Sequence, residues 1–316
     1  MKAVMLDSDT LGRDVDLAPL ESLVDELTRW PLTPPAQVVS RLEGATLAIV
    51  NKVVIDDRIM AALPDLEMIA VTATGTNNVD MESARRRGIR VTNVKGYGTE
   101  SVAQHTLMIL LALASRLPLH QQRLKTGHWE EAPFFCLLDS PPLQLAGKRL
   151  VIVGQGTLGR AVASLAEAFG MQVSFSARPG GDTDDTRAPL AELLPQADVV
   201  SLHCPLTPDT HHLIGQEALS KMKPSALLIN CARGSVIDEA AALEALEAGR
   251  LGGLGVDVLP VEPPHNGHPL LEALRQARLN LIVTPHNAWA TLEARQRVVD
   301  MTADNLRDFL TTHRPR

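Results

Sequence analysis

Short apolar runs of strand length alternate with segments whose apolar residues recur at helical spacing along almost the whole chain. In the first hundred residues KAVML, TLAIV, EMIAVTA and IRVTN predict strands. Residues 17–28, 56–63 and 80–87 predict the helices between them. A long helix is predicted over 99–117, followed by GHWEEAPFFCLLDSPPLQLAGK, whose aromatic, Pro and Gly residues read as a connector. A second series starts at Lys148 with RLVIV, QVSFS, DVVSL, ALLIN, LGGLGVDV and LNLIV, and a last helix is predicted over 291–310. Alternation of this kind makes mostly parallel α/β sheets. With 316 residues, the two series are expected to be two similar α/β domains.

Composition narrows the partners. The chain is 45% hydrophobic but only 3% aromatic, so Ala, Leu and Val must fill its cores. A net charge of −7 with no basic block argues against nucleic acid as a partner. The three cysteines, Cys136, Cys204 and Cys231, are too few and too scattered for a disulfide framework or a zinc site, so no metal is expected and a reducing cytoplasm is. MKAVMLDSDT reads as a first strand, not a signal peptide, and the longest apolar run, near 107–114, is too short to span a bilayer. No membrane partner is expected.

The most informative local feature is VIVGQGTLGR, an apolar strand opening into Gly154-x-Gly156-x-x-Gly159 and then a helical pattern. The first glycine permits a tight turn, the second lets backbone approach a pyrophosphate, and the third lets helix pack on strand. Gln155, Thr157 and Leu158 would line the same turn, with the helix N-terminus facing the phosphates. A plain strand-turn-helix that binds nothing is the alternative. Open parallel sheets bind ligands outside the carboxyl ends of their strands. Those ends carry Ala177-Arg178, then His203-Cys204-Pro205 with Thr210 beyond, then Cys231-Ala232-Arg233, then Asp257 with Glu262 further on, then Pro285-His286-Asn287. A cation, a titratable imidazole and carboxylates thus fall on one edge beside the proposed dinucleotide, a set suited to acid–base chemistry on a carbonyl. Arg233 could instead cap a helix, and Asp257 could be a helix N-cap. The adjacent His211 and His212 are expected to diverge, and His265-x-x-His268 sits in a turn-rich loop, so neither pair is read as a metal site.

The segments VTATGTNNVD, GYGTESVAQHT, GQGTLG, HCPLTPDTHHLIG, INCARGSVIDE, GVDVLPVEPP and TPHNAW together resemble the D-isomer-specific 2-hydroxyacid dehydrogenase family over essentially the whole chain. NKVV, ATGTNNVD, VAQHT, the W…FFC stretch and PHNAWAT look most like its glycerate dehydrogenases and hydroxypyruvate/glyoxylate reductases. The resemblance implies a flavodoxin-like substrate domain, 1–98 plus 290–316, interrupted by a Rossmann-like dinucleotide-binding domain, 99–289. A hinge would lie at the two crossings. The helix after Thr99 and the following arm resemble the family's dimer interface, so a homodimer is expected. The resemblance also implies that His286 is the acid/base, Glu262 its partner and Arg233 the substrate-polarising cation. The Thr74-Gly75-Thr76 turn would offer N–H groups to a substrate carboxylate. Asp257 and Thr99 would orient the nicotinamide, and Lys52, Trp289 and the Trp129 to Cys136 arm would shape the pocket. The substrate would be a small 2-keto or 2-hydroxy acid.

One position departs from the usual pattern. An NAD site places an acid at the end of the second strand, about 18–20 residues past the last glycine. Here Ser176, Ala177 and Arg178 stand there, with Asp182, Asp184 and Asp185 further along in an expected loop. Arg178 could meet a 2′-phosphate, so NADP(H) is expected to be favoured, with NAD(H) as the second possibility. The alternatives are another dehydrogenase of the family, acting on 3-phosphoglycerate, D-lactate or phosphite, and a non-catalytic NAD-sensing scaffold.

Overall fold

In a computed structural model, which describes residues 1–181 and 185–312, the alternation becomes two parallel sheets. The elements run β1 (Lys2–Met5), α1 (Ala18–Glu21), β2 (Glu26–Arg29), α2 (Val38–Leu42), β3 (Leu47–Val50), α3 (Asp57–Ala61), β4 (Met68–Val71), α4 (Met81–Arg87) and β5 (Arg90–Asn93). Then come α5 (Thr99–Ala114), α6 (Leu117–Lys125), β6 (Arg149–Val153), α7 (Thr157–Ala168), β7 (Gln172–Phe175), α8 (Leu190–Leu193), β8 (Val199–Leu202) and α9 (Gln216–Lys221). The chain finishes with β9 (Leu227–Asn230), α10 (Glu239–Glu247), β10 (Gly253–Val256), α11 (Pro269–Gln276), β11 (Leu281–Val283) and α12 (Leu292–Thr312). It divides into one unit of Met1–Gly98 with Ala290–Arg316 and another of Thr99–Trp289.

The first unit holds a five-stranded parallel sheet in the order β2-β1-β3-β4-β5. This is the flavodoxin-like doubly wound order. Every residue of β3 and β4 is buried, as central strands covered on both faces must be. The helix expected over 17–28 is mostly absent. Only Ala18–Glu21 is helical, and Glu26–Arg29 is instead an edge strand paired with β1 from Lys2↔Glu26 onward. An edge strand needs no continuous apolar run, and the first and last residues of ELTR are exposed, so its pattern carried no strand signal.

In the second unit the six strands are parallel in the order β11-β10-β9-β8-β6-β7. Alternate residues of one strand enter opposite cores. Leu150 and Ile152 of β6 pack with Leu107, Leu110, Val162 and Ala166 from α5 and α7. Val151 and Val153 pack on the other side with Leu219, Ala242, Leu246 and Leu270 from α9, α10 and α11. The helix expected over 99–117 stops at Ala114. Arg116 takes a left-handed conformation, φ 54°, and Pro118 starts α6 in a new direction 57° away. Among the described residues no single helix is long and apolar enough to cross a membrane.

Candidate active site

The glycine loop joins β6 to α7. Gly154 has φ 108°, and a Cβ there would run into the carbonyl of His203. A Cβ on Gly159 would run into the carbonyl of Gly154, so this glycine sets how closely α7 meets the strand. Gly156 is different: a Cβ would meet nothing within 4 Å, so its backbone is open to an approaching ligand. Gly156 N-caps the twelve-residue α7 with no side-chain cap, leaving the Thr157 and Leu158 end of the helix to offer N–H groups to an anion. Strand order reverses between β6 and β8, so this loop and His203-Cys204-Pro205 flank one crevice, as a dinucleotide requires. These residues fit a pyrophosphate.

Around that crevice several expected cofactor positions are already engaged. His203 pairs through Nε2 with Ser201 Oγ at 2.9 Å, and its Nδ1 is buried without a partner. Burial pushes its imidazole down to about 4. Thr210 builds its own loop, donating to Pro205 O at 2.7 Å and accepting from Thr207 N at 2.7 Å. Burial raises the thiols of Cys204 to about 11 and Cys231 to about 12, which leaves both inert at neutral pH. Ala232 N donates to Asn230 Oδ1, and Asn230 Nδ2 donates back to Arg233 O, so a buried asparagine shapes the turn that presents Arg233.

At the end of β7, Ser176 is buried with an unpartnered hydroxyl and Arg178 is exposed. Asp182 and Asp184 lie outside the described residues. Asp185 folds back to the strand end, accepting from Arg178 N at 2.9 Å and from Arg187 Nε and Nη2 at 2.8 and 2.5 Å. The Arg187 guanidinium holds that carboxyl well below the usual range. An acid therefore does reach this strand end, brought by the fold from nine residues past Ser176, but Arg187 neutralises it.

His286 and Glu262 meet directly: Nδ1 lies 2.5 Å from Glu262 Oε2. Glu262 Oε1 accepts from Leu259 N at 2.7 Å, which orients the carboxylate. With Nδ1 so engaged, Nε2 is the ring nitrogen left for a reacting oxygen. His286 has φ 53°, a left-handed conformation held by its N–H donating to Asp257 O at 2.7 Å. Asp257 is not a helix N-cap. It is 1% exposed, and its carboxylate accepts from the backbone N–H groups of Asn287 and Ala288 and from Thr284 Oγ1. Trp289 Nε1 donates to His286 O at 3.1 Å, so this indole braces the histidine turn. Arg233 is exposed after β9, with Nη1 donating to Ala232 O at 2.6 Å. Thr99 is buried as the first residue of α5.

On the first unit Lys52 follows β3 and Thr74-Gly75-Thr76 follow β4. Asp7, buried after β1, accepts from the N–H groups of Asn51, Lys52 and Val53 and fixes the turn carrying Lys52. Asn93 Nδ2 donates to Thr74 O at 2.6 Å. Among the described residues, the N–H groups of Thr74, Gly75 and Thr76 have no protein acceptor. Asp7, Asn230 and Thr284 escaped the sequence reading. Each stands at a strand's carboxyl end, and extending the strand-end survey to the first sheet would have found Asp7.

His211, His212 and His268 are engaged in local structure. The expectation that His211 and His212 diverge is not met: a left-handed His212, φ 49°, stacks their rings at 4.0 Å. His268 accepts from Leu270 N as the N-cap of α11 and lies 2.8 Å from Glu239. Among the described residues no three His, Cys, Asp or Glu side chains are placed to hold a metal ion.

The family model described as D-isomer specific 2-hydroxyacid dehydrogenase, NAD binding domain, matches residues 107–288. The chain is 44% identical to the glycerate dehydrogenase of Methylorubrum extorquens, over 87% of this chain and 86% of that protein. It is 37% identical to the hydroxypyruvate reductase of Blautia hydrogenotrophica, over 98% and 97%. Among solved structures it resembles the NADPH-dependent glyoxylate/hydroxypyruvate reductase of Sinorhizobium meliloti in complex with NADP and malonate. The TM-score is 0.78 at 29% identity, covering 98% of this chain and 94% of that one.

Proposed function

The chain belongs to the D-isomer specific 2-hydroxyacid dehydrogenase family, and from that premise we propose that it reduces hydroxypyruvate or glyoxylate to D-glycerate or glycolate. It is an oxidoreductase of CH–OH groups that uses a nicotinamide dinucleotide. The observation that carries the reading is the His286–Glu262 pair, 2.5 Å apart, on the strand-end edge that also presents Arg233 and the glycine loop.

The chemistry that a bound nicotinamide dinucleotide would supply is a hydride for the keto carbon. His286 gives a proton from Nε2 to the oxygen that becomes the hydroxyl, and takes it back in the oxidative direction. Glu262 fixes the ring's orientation and balances the charge of the imidazolium. Arg233 offers a planar fork that can grip a carboxylate and polarise a carbonyl together. Asp257 and Thr99 are assigned to the nicotinamide end. On the first unit, Lys52 and the N–H groups of Thr74, Gly75 and Thr76 are assigned to the substrate carboxylate.

NADPH is the proposed preferred cofactor, supported by the exposed Arg178 and by the neutralised Asp185 beside it. The proposal includes a cytoplasmic homodimer. The apolar residues Met108 and Leu111 of α5 and Leu117 and Leu124 of α6 are exposed, as are Trp129, Phe134 and Phe135 in the arm, which favours a second copy as their cover.

The test is a steady-state assay of the purified protein with each 2-keto acid and each dinucleotide. Turnover of at least one acid is expected, with His286→Ala losing about 10²–10⁴-fold while dinucleotide affinity stays near wild type. No turnover of either acid would overturn the substrate assignment.

A further inference from the structure

The catalytic histidine turn rests on one face of α5. Ser101 and His105 are one helical turn apart and so point the same way. Ser101 Oγ donates to Ala288 O at 2.6 Å. His105 Nε2 lies 3.0 Å from Thr284 Oγ1 and 3.4 Å from Asp257 Oδ1. Thr284 has a single hydroxyl proton, and it goes to Asp257 Oδ1 at 2.6 Å. His105 must therefore be the donor to Thr284, through an Nε2–H. The Asp257 carboxylate then collects Thr284, Asn287 N at 3.1 Å and Ala288 N at 2.9 Å, while its own carbonyl takes His286 N at 2.7 Å. Burial alone would raise the Asp257 carboxyl, but the bonds from His105, Thr284 and Ala288 outweigh it and keep the group ionised.

We infer that His105 is a positioning residue for proton transfer: by donating to Thr284 beside Asp257, it holds the 284–288 turn in the conformation that presents His286. The left-handed conformation of His286 is strained for a non-glycine residue and persists only where the surroundings enforce it. Asp257 enforces it from the end of β10, and His105 and Ser101 do so from the helix beneath. Without His105, Asp257 keeps its backbone partners but loses the outside donor that fixes Thr284. The turn can then open toward ordinary backbone angles, and His286 Nε2 drifts from the reacting oxygen. A misplacement of about 1 Å at such a distance from the chemistry costs up to about 100-fold in rate.

The kinetic part rests on the reduction proposed above, and the experiment separates the two. His105→Leu and His105→Gln are compared with wild type in the 2-keto acid assay and in amide hydrogen exchange. The glutamine amide can donate near the Nε2 position, while leucine cannot. His105→Leu is expected to lose about 10- to 100-fold in kcat, with KM and dinucleotide affinity within about twofold, and His105→Gln to recover most of the loss. The Asn287 and Ala288 amides, which donate to Asp257, should exchange at least about tenfold faster in His105→Leu alone. Unchanged exchange at those two amides, or equal defects in the two variants, would overturn the inference. If wild type reduces neither acid, the functional assignment falls while the exchange comparison still decides the role of His105.

Discussion

At the scale of single residues, the site separates side chains that act from side chains that place others. Arg233 is exposed and extended in backbone, with Nη1 bonded to Ala232 O of its own turn, so its value lies in the shape of its fork. Arg233→Lys is expected to lose nearly as much kcat/KM as Arg233→Ala, because an ammonium keeps the charge without the paired donors. Kinetics of the two variants that differ by more than about tenfold, with lysine near wild type, would reduce Arg233 to a point charge. His203 carries a prediction about stability. Its folded value of about 4 lies below the ordinary 6.5. As pH falls through 6.5 the unfolded chain binds a proton that the folded chain refuses. The folded state is therefore penalised progressively until about pH 4, by up to about 3 kcal/mol. Urea titrations of the cofactor-free protein should show His203→Gln losing less stability than wild type across that window. Arg233 and His286 stood out as candidates because polar residues close behind apolar strands do, whereas Glu262, six residues past β10, was paired with His286 only through resemblance. Asp257 was legible as a position but not in its work, which depends on N–H groups some thirty residues away.

At the scale of elements, the β6–α7 connection makes the three glycines unequal. Gly159→Ala should cost about 1–3 kcal/mol of stability, since the new carbon meets the Gly154 carbonyl and neither backbone can yield cheaply. Gly156→Ala should leave the melting temperature within about 2 °C of wild type, because the added carbon points into open space and φ is an ordinary −74°. It should nevertheless weaken dinucleotide binding by about tenfold or more, because that space is where phosphate approaches. Melting curves and titration calorimetry on both variants read the two effects separately. Most strands were legible, since parallel strands buried on both faces are apolar throughout. The misread elements are those that tertiary context decides. β2 is a polar edge that only pairing with β1 makes a strand. The α5–α6 break depends on a left-handed Arg116, which no periodicity announces, although Pro118 marked the restart.

At the scale of the whole molecule, the exposed stripe of α5 and the arm set the expected assembly. Met108→Asp combined with Leu111→Asp should convert a species of twice 34.1 kDa into one of 34.1 kDa by sedimentation. Sedimentation of wild type as a monomer would remove the basis for a dimer. Two α/β series were readable from the strand pattern, but the return of the chain to the first unit at α12 was expected only through resemblance, because the alternation of strands and helices is continuous and marks no crossing between units. That organisation also sets a timetable for synthesis. The sheet of the first unit is complete when β5 emerges, yet its covering helix α12 arrives nearly two hundred residues later. Until then the surface that meets Val298, Val299, Leu306 and Phe309 stays uncovered. The second unit, continuous in the chain, can close while the ribosome is still at work. The first waits for α12, and in that interval a chaperone has most reason to hold it.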